Sequence, residues 1–292
     1  MVEAQEVKNW LAERRKGLFS TDAAAICGRS PWRTAWEVFL DKTGQLPDEP
    51  PSERMLMGLR LEGFIAELYQ EKTKAELTVP GLRWHPEIPW MGANCDRLAP
   101  DRIVELKFAS THRGWGEEAT DEIPDFYNLQ VHHQMIVMGM SRADLAVFFG
   151  SGVFRIFPVQ KDPALAAFLV ETEAEFWRKH ILLKTPPEPD WEHKRTQAIV
   201  KALYPATGGM LEIGGPEILE ILASYEGWAA EAKAAEAHKD ALKAKIIVAM
   251  GNAAEAVCPD GTVIRRPLVQ RKSYSVPAVE YYGFKIQRGK ND

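Results

Sequence analysis

Cysteine is scarce in this chain: three residues, Cys27, Cys95 and Cys258, in a length of 292. Far apart and one short of four, they cannot complete a four-cysteine metal site within one chain, and reduced, buried thiols are expected. Long apolar runs are missing as well. No segment approaches the roughly 18 uninterrupted apolar residues that a membrane span requires. The opening M-V-E-A-Q-E-V-K-N-W has no basic stretch followed by an apolar core, so a cytoplasmic protein without membrane association is expected. Nor is there an excess of positive charge, since the formal net charge is −5. Such a balance is unhelpful for gripping a polyanion over a whole surface, yet a site responds to local potential, and Arg14 to Lys16, Arg29 and Arg33 form local basic groups. Internal repeats and low-complexity segments are also lacking.

What is present is enough apolar material, 46% of residues, for one large core or a core with a small second domain. Three prolines in T-P-P-E-P-D (185–190) cannot continue a helix and mark the expected boundary between domains 1–188 and 189–292. Before it, A-D-L-A-V-F-F-G and V-F-R-I-F-P-V read as the strands of a hairpin, and D-P-A-L-A-A-F-L-V-E-T-E-A-E-F-W-R-K-H as a long amphipathic helix. The implied class is α/β (α+β), a mixed central sheet flanked by helices, with a C-terminal helical and β-hairpin extension. In that extension, residues 215–250 are rich in Ala, Glu and Lys and read as a helical pair broken near Gly227, available for subunit contacts. The turn P-D-G-T with T-V-I-R-R and L-V-Q-R-K-S-Y suggests a small hairpin. Its basic residues Arg265, Arg266, Arg271, Lys272, Lys285, Arg288 and Lys290 suit either a solvated rim or a DNA contact.

The richest stretch is G-A-N-C-D-R-L-A-P-D-R-I-V-E-L-K, residues 92–107. Side chains alternate along a strand, so Glu105 and Lys107 share one face while Val104 and Leu106 point into packing. Asp96, on the preceding arm, can bring a second carboxylate beside Glu105, the kind of donor set that suits a hard divalent cation. Upstream, S-E-R-M-L-M-G-L-R-L-E-G-F-I-A-E-L-Y reads as a helix carrying Glu62, in which Gly58 and Gly63 suggest a close backbone approach. Downstream, Pro124 opens a helix in which Tyr127, Gln130 and Gln134 follow helical spacing. Near the N-terminus, Ser20 or Thr21 before D-A-A-A-I reads as an N-cap, a place that receives anions, with Arg14, Arg15 and Lys16 close by.

This order resembles the PD-(D/E)XK nuclease superfamily and, within it, the YqaJ-type viral recombinases and lambda-exonuclease-like enzymes. The N-terminal R-R-K-G-L-F-S-T-D-A-A-A-I-C-G-R-S-P-W is similar to that family's R-x-x-G-I-G-G-S-D-A-A-A-I-x-G-x-S-P-W, and the likeness runs from about Trp10 to Phe157. The resemblance implies a restriction-endonuclease-like core with Glu62, Asp96 and Glu105 as acidic ligands of one or two Mg²⁺ or Mn²⁺ ions, joined by the Leu106 carbonyl. It makes Lys107 the catalytic lysine and Gln130 its helix support, and it assigns the 5′-phosphate of a DNA end to Arg15 and Thr21, with Ser20 alongside. Met55 corresponds to an apolar position that wedges between strands, although a methionine on such a helix also suits the core.

Phe19-Ser20 stands where relatives have paired glycines, Thr21 where they have serine, and Cys95 where many have proline. The implied activity is 5′→3′ exonucleolytic hydrolysis of linear duplex DNA, with a structure-specific endonuclease and a non-catalytic DNA-end-binding protein as alternatives. A single-strand annealing protein as partner, a trimeric ring, and a phage or prophage origin in a bacterial host are further implications. Three cysteines count against the iron–sulfur branch of such nucleases.

Overall fold

The structure, a computed structural model, describes residues 9–46, 52–206, 208–270 and 286. It divides into two compact units, Met1–Pro205 and Ala206–Asp292.

The first unit opens with a short helix, α1 (residues 9–14), followed by β1 (Leu18–Phe19), α2 (Ser20–Ile26), α3 (Ala35–Lys42) and α4 (Glu53–Thr73). The strands β2 (Leu82–Trp84), β3 (Met91–Asn94), β4 (Arg97–Ala99) and β5 (Arg102–Ala109) come next. After α5 (Asp125–Met138), strands β6 (Arg142–Phe149) and β7 (Phe154–Gln160) lead to α6 (Pro163–Phe176), a π-helical continuation (Trp177–Leu182) and α7 (Lys194–Leu203). The central sheet has the order β4-β5-β6-β7, with β5 and β6 parallel and the other pairs antiparallel. A smaller sheet, β1-β3-β2, adjoins the same core.

Alternation along β5 decides what each face buries. Val104 and Leu106 pack with Ile65, Ala66 and Tyr69 of α4, whereas Ile103 and Ala109 join Val131 and Met135 of α5. The mixed sheet therefore has a helix on each face, as the sequence pattern implies. Helix α4 starts at a Ser52 cap, and α5 is opened by Pro124 and closed by Gly139 in the left-handed conformation that glycine adopts without steric cost.

Three expectations change. The N-cap of α2 is Phe19, one residue before Ser20, and its N–H is served by the Asp22 carboxylate at 2.9 Å. Gly58 and Gly63 answer to no close approach, because a Cβ at either would meet nothing within 4 Å. The backbone crowding lies elsewhere: a Cβ on Gly17 would sit 2.4 Å from the Trp90 carbonyl oxygen, and one on Gly92 would sit 2.8 Å from the Phe19 ring. The proline stretch at 185–190 falls within the first unit, since Ile199 of α7 is buried with Val38 and Phe39 of α3.

In the second unit, α8 (Pro216–Met250) is one continuous helix that passes Gly227 without a break. The hairpin pairs β8 (Glu255–Val257) with β9 (Val263–Arg265), so T-V-I-R-R finds its partner before the P-D-G-T turn rather than after it. Asp260 holds that turn by accepting from the Thr262 N–H at 2.9 Å. Arg265 is paired across the hairpin with Glu255 at 3.1 Å. Residues 271–274 of L-V-Q-R-K-S-Y, and Lys285, Arg288 and Lys290, lie outside the described residues. No described helix is long and apolar enough to cross a membrane.

Candidate active site

Strand β4 pairs with β5 only as far as Arg97 opposite Val104. Beyond that point the ladder is continued by a side chain, as the Leu106 N–H donates to Asp96 Oδ2 at 2.8 Å. The N–H and C=O of one strand residue point to the same side, so the Leu106 carbonyl faces the same open edge as Asp96.

Glu105 and Lys107 project from the opposite face to Leu106, toward α5, and Lys107 Nζ donates to Glu105 Oε1 at 2.7 Å. Gln130 Nε2 donates to the same oxygen at 2.5 Å, and Gln134 Nε2 donates to Oε2 at 2.8 Å. The two glutamines are one turn apart on α5 and meet the carboxylate side by side. The ring of Tyr127, on the same helix face, has Lys107 Nζ 5.0 Å from its centroid. Glu105, Gln130 and Gln134 are all buried, and Gln134 Oε1 has no hydrogen-bond partner.

The electrostatics follow from this crowding. Burial first, and the neighbouring Glu105 second, push the Asp96 carboxyl up to about 8, against the opposing pull of Lys107 and the Leu106 N–H. Burial pulls Lys107 down, but Glu105 and Asp96 more than reverse this and hold its ammonium above the ordinary lysine range. Glu62, half-buried on α4, is raised by burial, with Arg97 pulling against the shift and Glu105 adding to it. Among the described residues no three His, Cys, Asp or Glu side chains come close enough to hold a metal ion by themselves. The donor set brought together is two carboxylates, Asp96 and Glu105, with a backbone carbonyl at the same edge. Such a set fits a divalent ion that keeps several waters, and a cation there would relieve the repulsion that lifts Asp96.

The N-terminal candidates fall into a separate cluster. Arg15 is tied to Asp41 at 3.1 Å, whereas Arg14 donates to Thr21 Oγ1 at 2.9 Å and lies over the rings of Trp10 and Phe19. Ser20 is buried at the start of α2. Beneath them Asp22 is fully buried, accepting from Arg33 and from Lys42, the latter at 2.8 Å, while Arg33 also reaches Asp41 at 2.6 Å. Lys42, Arg33 and Arg14 hold Asp22 far below the usual carboxylate range although burial opposes them. Met55 is 62% exposed, which removes it from the core.

Sequence reasoning placed Gln134 on the right helix face but gave it no part in the site. Its spacing of four from Gln130 was the available signal. It also missed His133, a fully buried residue whose Nε2 donates to the Gly92 carbonyl at 2.8 Å and whose Nδ1 meets Glu173 at 2.9 Å. The Glu173 carboxylate raises the His133 pKa although burial opposes it, which favours a charged pair tying α5 to α6 and β3.

Among known families, residues 9–141 match the YqaJ-like viral recombinase domain. The YqaJ protein of Bacillus subtilis (strain 168), itself uncharacterised, is 34% identical over 189 residues, 62% of this chain and 58% of that protein. The chain thus matches less than two thirds of that relative's length. Among solved structures, the alkaline exonuclease LHK-Exo of Laribacter hongkongensis is similar at 22% identity and a TM-score of 0.46, over 61% of this chain and 98% of that one. A phage-related exonuclease of Haemophilus somnus 129PT is similar at 13% identity and a TM-score of 0.43, over 58% and 96%.

Proposed function

We propose that the first unit is a metal-dependent nuclease that degrades linear duplex DNA from its ends. One observation carries the reading: a buried carboxylate, Glu105, held by Lys107, Gln130 and Gln134 beside a second, partly buried carboxylate, Asp96. Magnesium or manganese bound by Asp96, Glu105 and the Leu106 carbonyl would supply Lewis acidity toward a phosphodiester. Glu62 lies at the rim, close enough to share the field of Glu105, and would serve a second ion.

Within the site, the two glutamines fix the Glu105 carboxylate so that no reorganisation is needed as charge develops. Lys107, held as a cation, stabilises negative charge on the phosphate and its attacking oxygen. Arg14, which donates to Thr21, would receive a terminal phosphate, with Arg15 held nearby by Asp41. A 5′→3′ direction, delivery of the exposed strand to a single-strand annealing protein and assembly into a ring follow the family resemblance.

The test is incubation with Mg²⁺ of a 5′-phosphorylated linear duplex and its covalently closed circle, with Lys107→Ala as control. Loss of the linear form alone, abolished in Lys107→Ala, is expected. Cutting of the circle would establish an endonuclease instead, and no metal-dependent cutting of either would leave a DNA-end-binding role.

A further inference from the structure

The S-P-W segment between α2 and α3 takes no part in the metal chemistry above, yet its indole is held out beside the site. Ser30 Oγ accepts from the N–H groups of Trp32 and Arg33, at 3.3 and 3.1 Å, and fixes a tight turn. Arg33 then points inward to its ion pairs with Asp22 and Asp41, which anchor the loop from below. Trp32 remains 48% exposed.

Its surroundings lead directly to the catalytic lysine. The indole packs edge-on against Phe126, centroids 4.6 Å apart, and tilts against Tyr127 at 6.1 Å; Tyr127 is the ring that lies beside Lys107 Nζ. The Arg54 guanidinium stands over the indole, 5.8 Å from its centroid. A half-exposed indole, a guanidinium over its ring and the Lys107 ammonium one ring further on form a combination suited to a nucleobase with its phosphates.

We propose that Trp32 is a nucleobase platform: an unpaired base at the DNA end stacks on its indole, Arg54 meets the adjoining phosphate, and the next phosphate lies at Lys107. The inference rests on the nuclease reading and deepens it, because a base released from its pair can leave the duplex stack and turn onto the ring. The enzyme would then hold a frayed end and not an intact blunt one.

The test measures affinity by fluorescence anisotropy, with the full chain and Ca²⁺ in place of Mg²⁺. The probes are a duplex with a two-nucleotide unpaired end and the same duplex with abasic residues at those two positions. Trp32→Leu keeps an apolar contact for Phe126 but removes the ring, and Trp32→Phe keeps a ring; a thermal melt of each confirms folding. Trp32→Leu is expected to weaken binding of the intact probe about tenfold, the scale of one lost stacking contact, and Trp32→Phe to retain most of it. The abasic probe should bind the wild type about tenfold more weakly and be insensitive to Trp32→Leu. Equal losses for Trp32→Leu on both probes, or no loss on either, would overturn the platform. Wild-type cleavage of linear DNA, measured in parallel, separates the two claims: cleavage without the stacking signature ends the platform alone, whereas neither binding nor cleavage ends both.

Discussion

The buried Glu105 carboxylate accepts from Lys107, Gln130 and Gln134, and removal of these donors has distinguishable consequences. Gln134→Leu deletes the donor that Oε2 has among the described residues, and should destabilise the first unit by about 1–3 kcal/mol in urea unfolding. On the proposed function, cleavage of linear DNA should slow even at temperatures where the variant is fully folded, because the carboxylate is no longer held in place. Asp22 poses the opposite case, an anion that serves structure. Asp22→Asn leaves the buried Lys42 and the partly buried Arg33 with too little negative charge and should cost about 3–5 kcal/mol. Its pKa is depressed in the folded protein, so its stabilisation is fully present above the unfolded value, about 4, and is lost as pH falls through the folded one. Acid denaturation curves of wild type and Asp22→Asn should therefore converge at low pH; a constant gap between them would refute this assignment.

At this scale much was legible and some was not. Glu105 and Lys107 could be placed together because a strand repeats every two residues, a purely local rule. The partner of Gln134 lies 29 positions away and exists only through tertiary packing. Arg14 and Arg15 are adjacent at the end of α1, and which one turns to Thr21 is decided by Asp41, whose position the sequence around Arg15 does not reveal.

Elements were read most securely where capping and periodicity agree. Helix α5 has proline at one end and glycine at the other, and the β6–β7 hairpin pairs in the expected order. Helix α8 departs from its reading because a glycine in a helix costs only about 1 kcal/mol, which the good helix formers around it absorb. A Cβ at Gly227 would meet no atom within 4 Å, so Gly227→Ala should stabilise the second unit by about 1 kcal/mol, read as a higher melting midpoint of the helical signal at 222 nm. A lower midpoint would mean that the helix needs glycine there for a reason other than its own backbone. Gly92 should behave oppositely: alanine would collide with Phe19 and strain the small sheet by about 1–3 kcal/mol, seen as a lower urea midpoint.

For the whole molecule, the net charge of −5 is a poor guide to the proposed work, because the cations that matter are local. Arg14, Arg33 and Lys42 gather at one end of the first unit, and Lys107 stands among carboxylates at the sheet edge. The central claim is that this edge hydrolyses phosphodiesters with a divalent ion held by Asp96 and Glu105. The most direct measurement is the single-turnover rate of cleavage of a 5′-phosphorylated linear duplex as Mg²⁺ is titrated in from EDTA, for wild type, Asp96→Asn and Lys107→Ala. The account predicts no cleavage in EDTA, a wild-type rate that rises and saturates with Mg²⁺, and losses on the order of 10²-fold or more in both variants. Cleavage that is indifferent to the metal, or an Asp96→Asn enzyme as fast as wild type at every Mg²⁺ concentration, would contradict it.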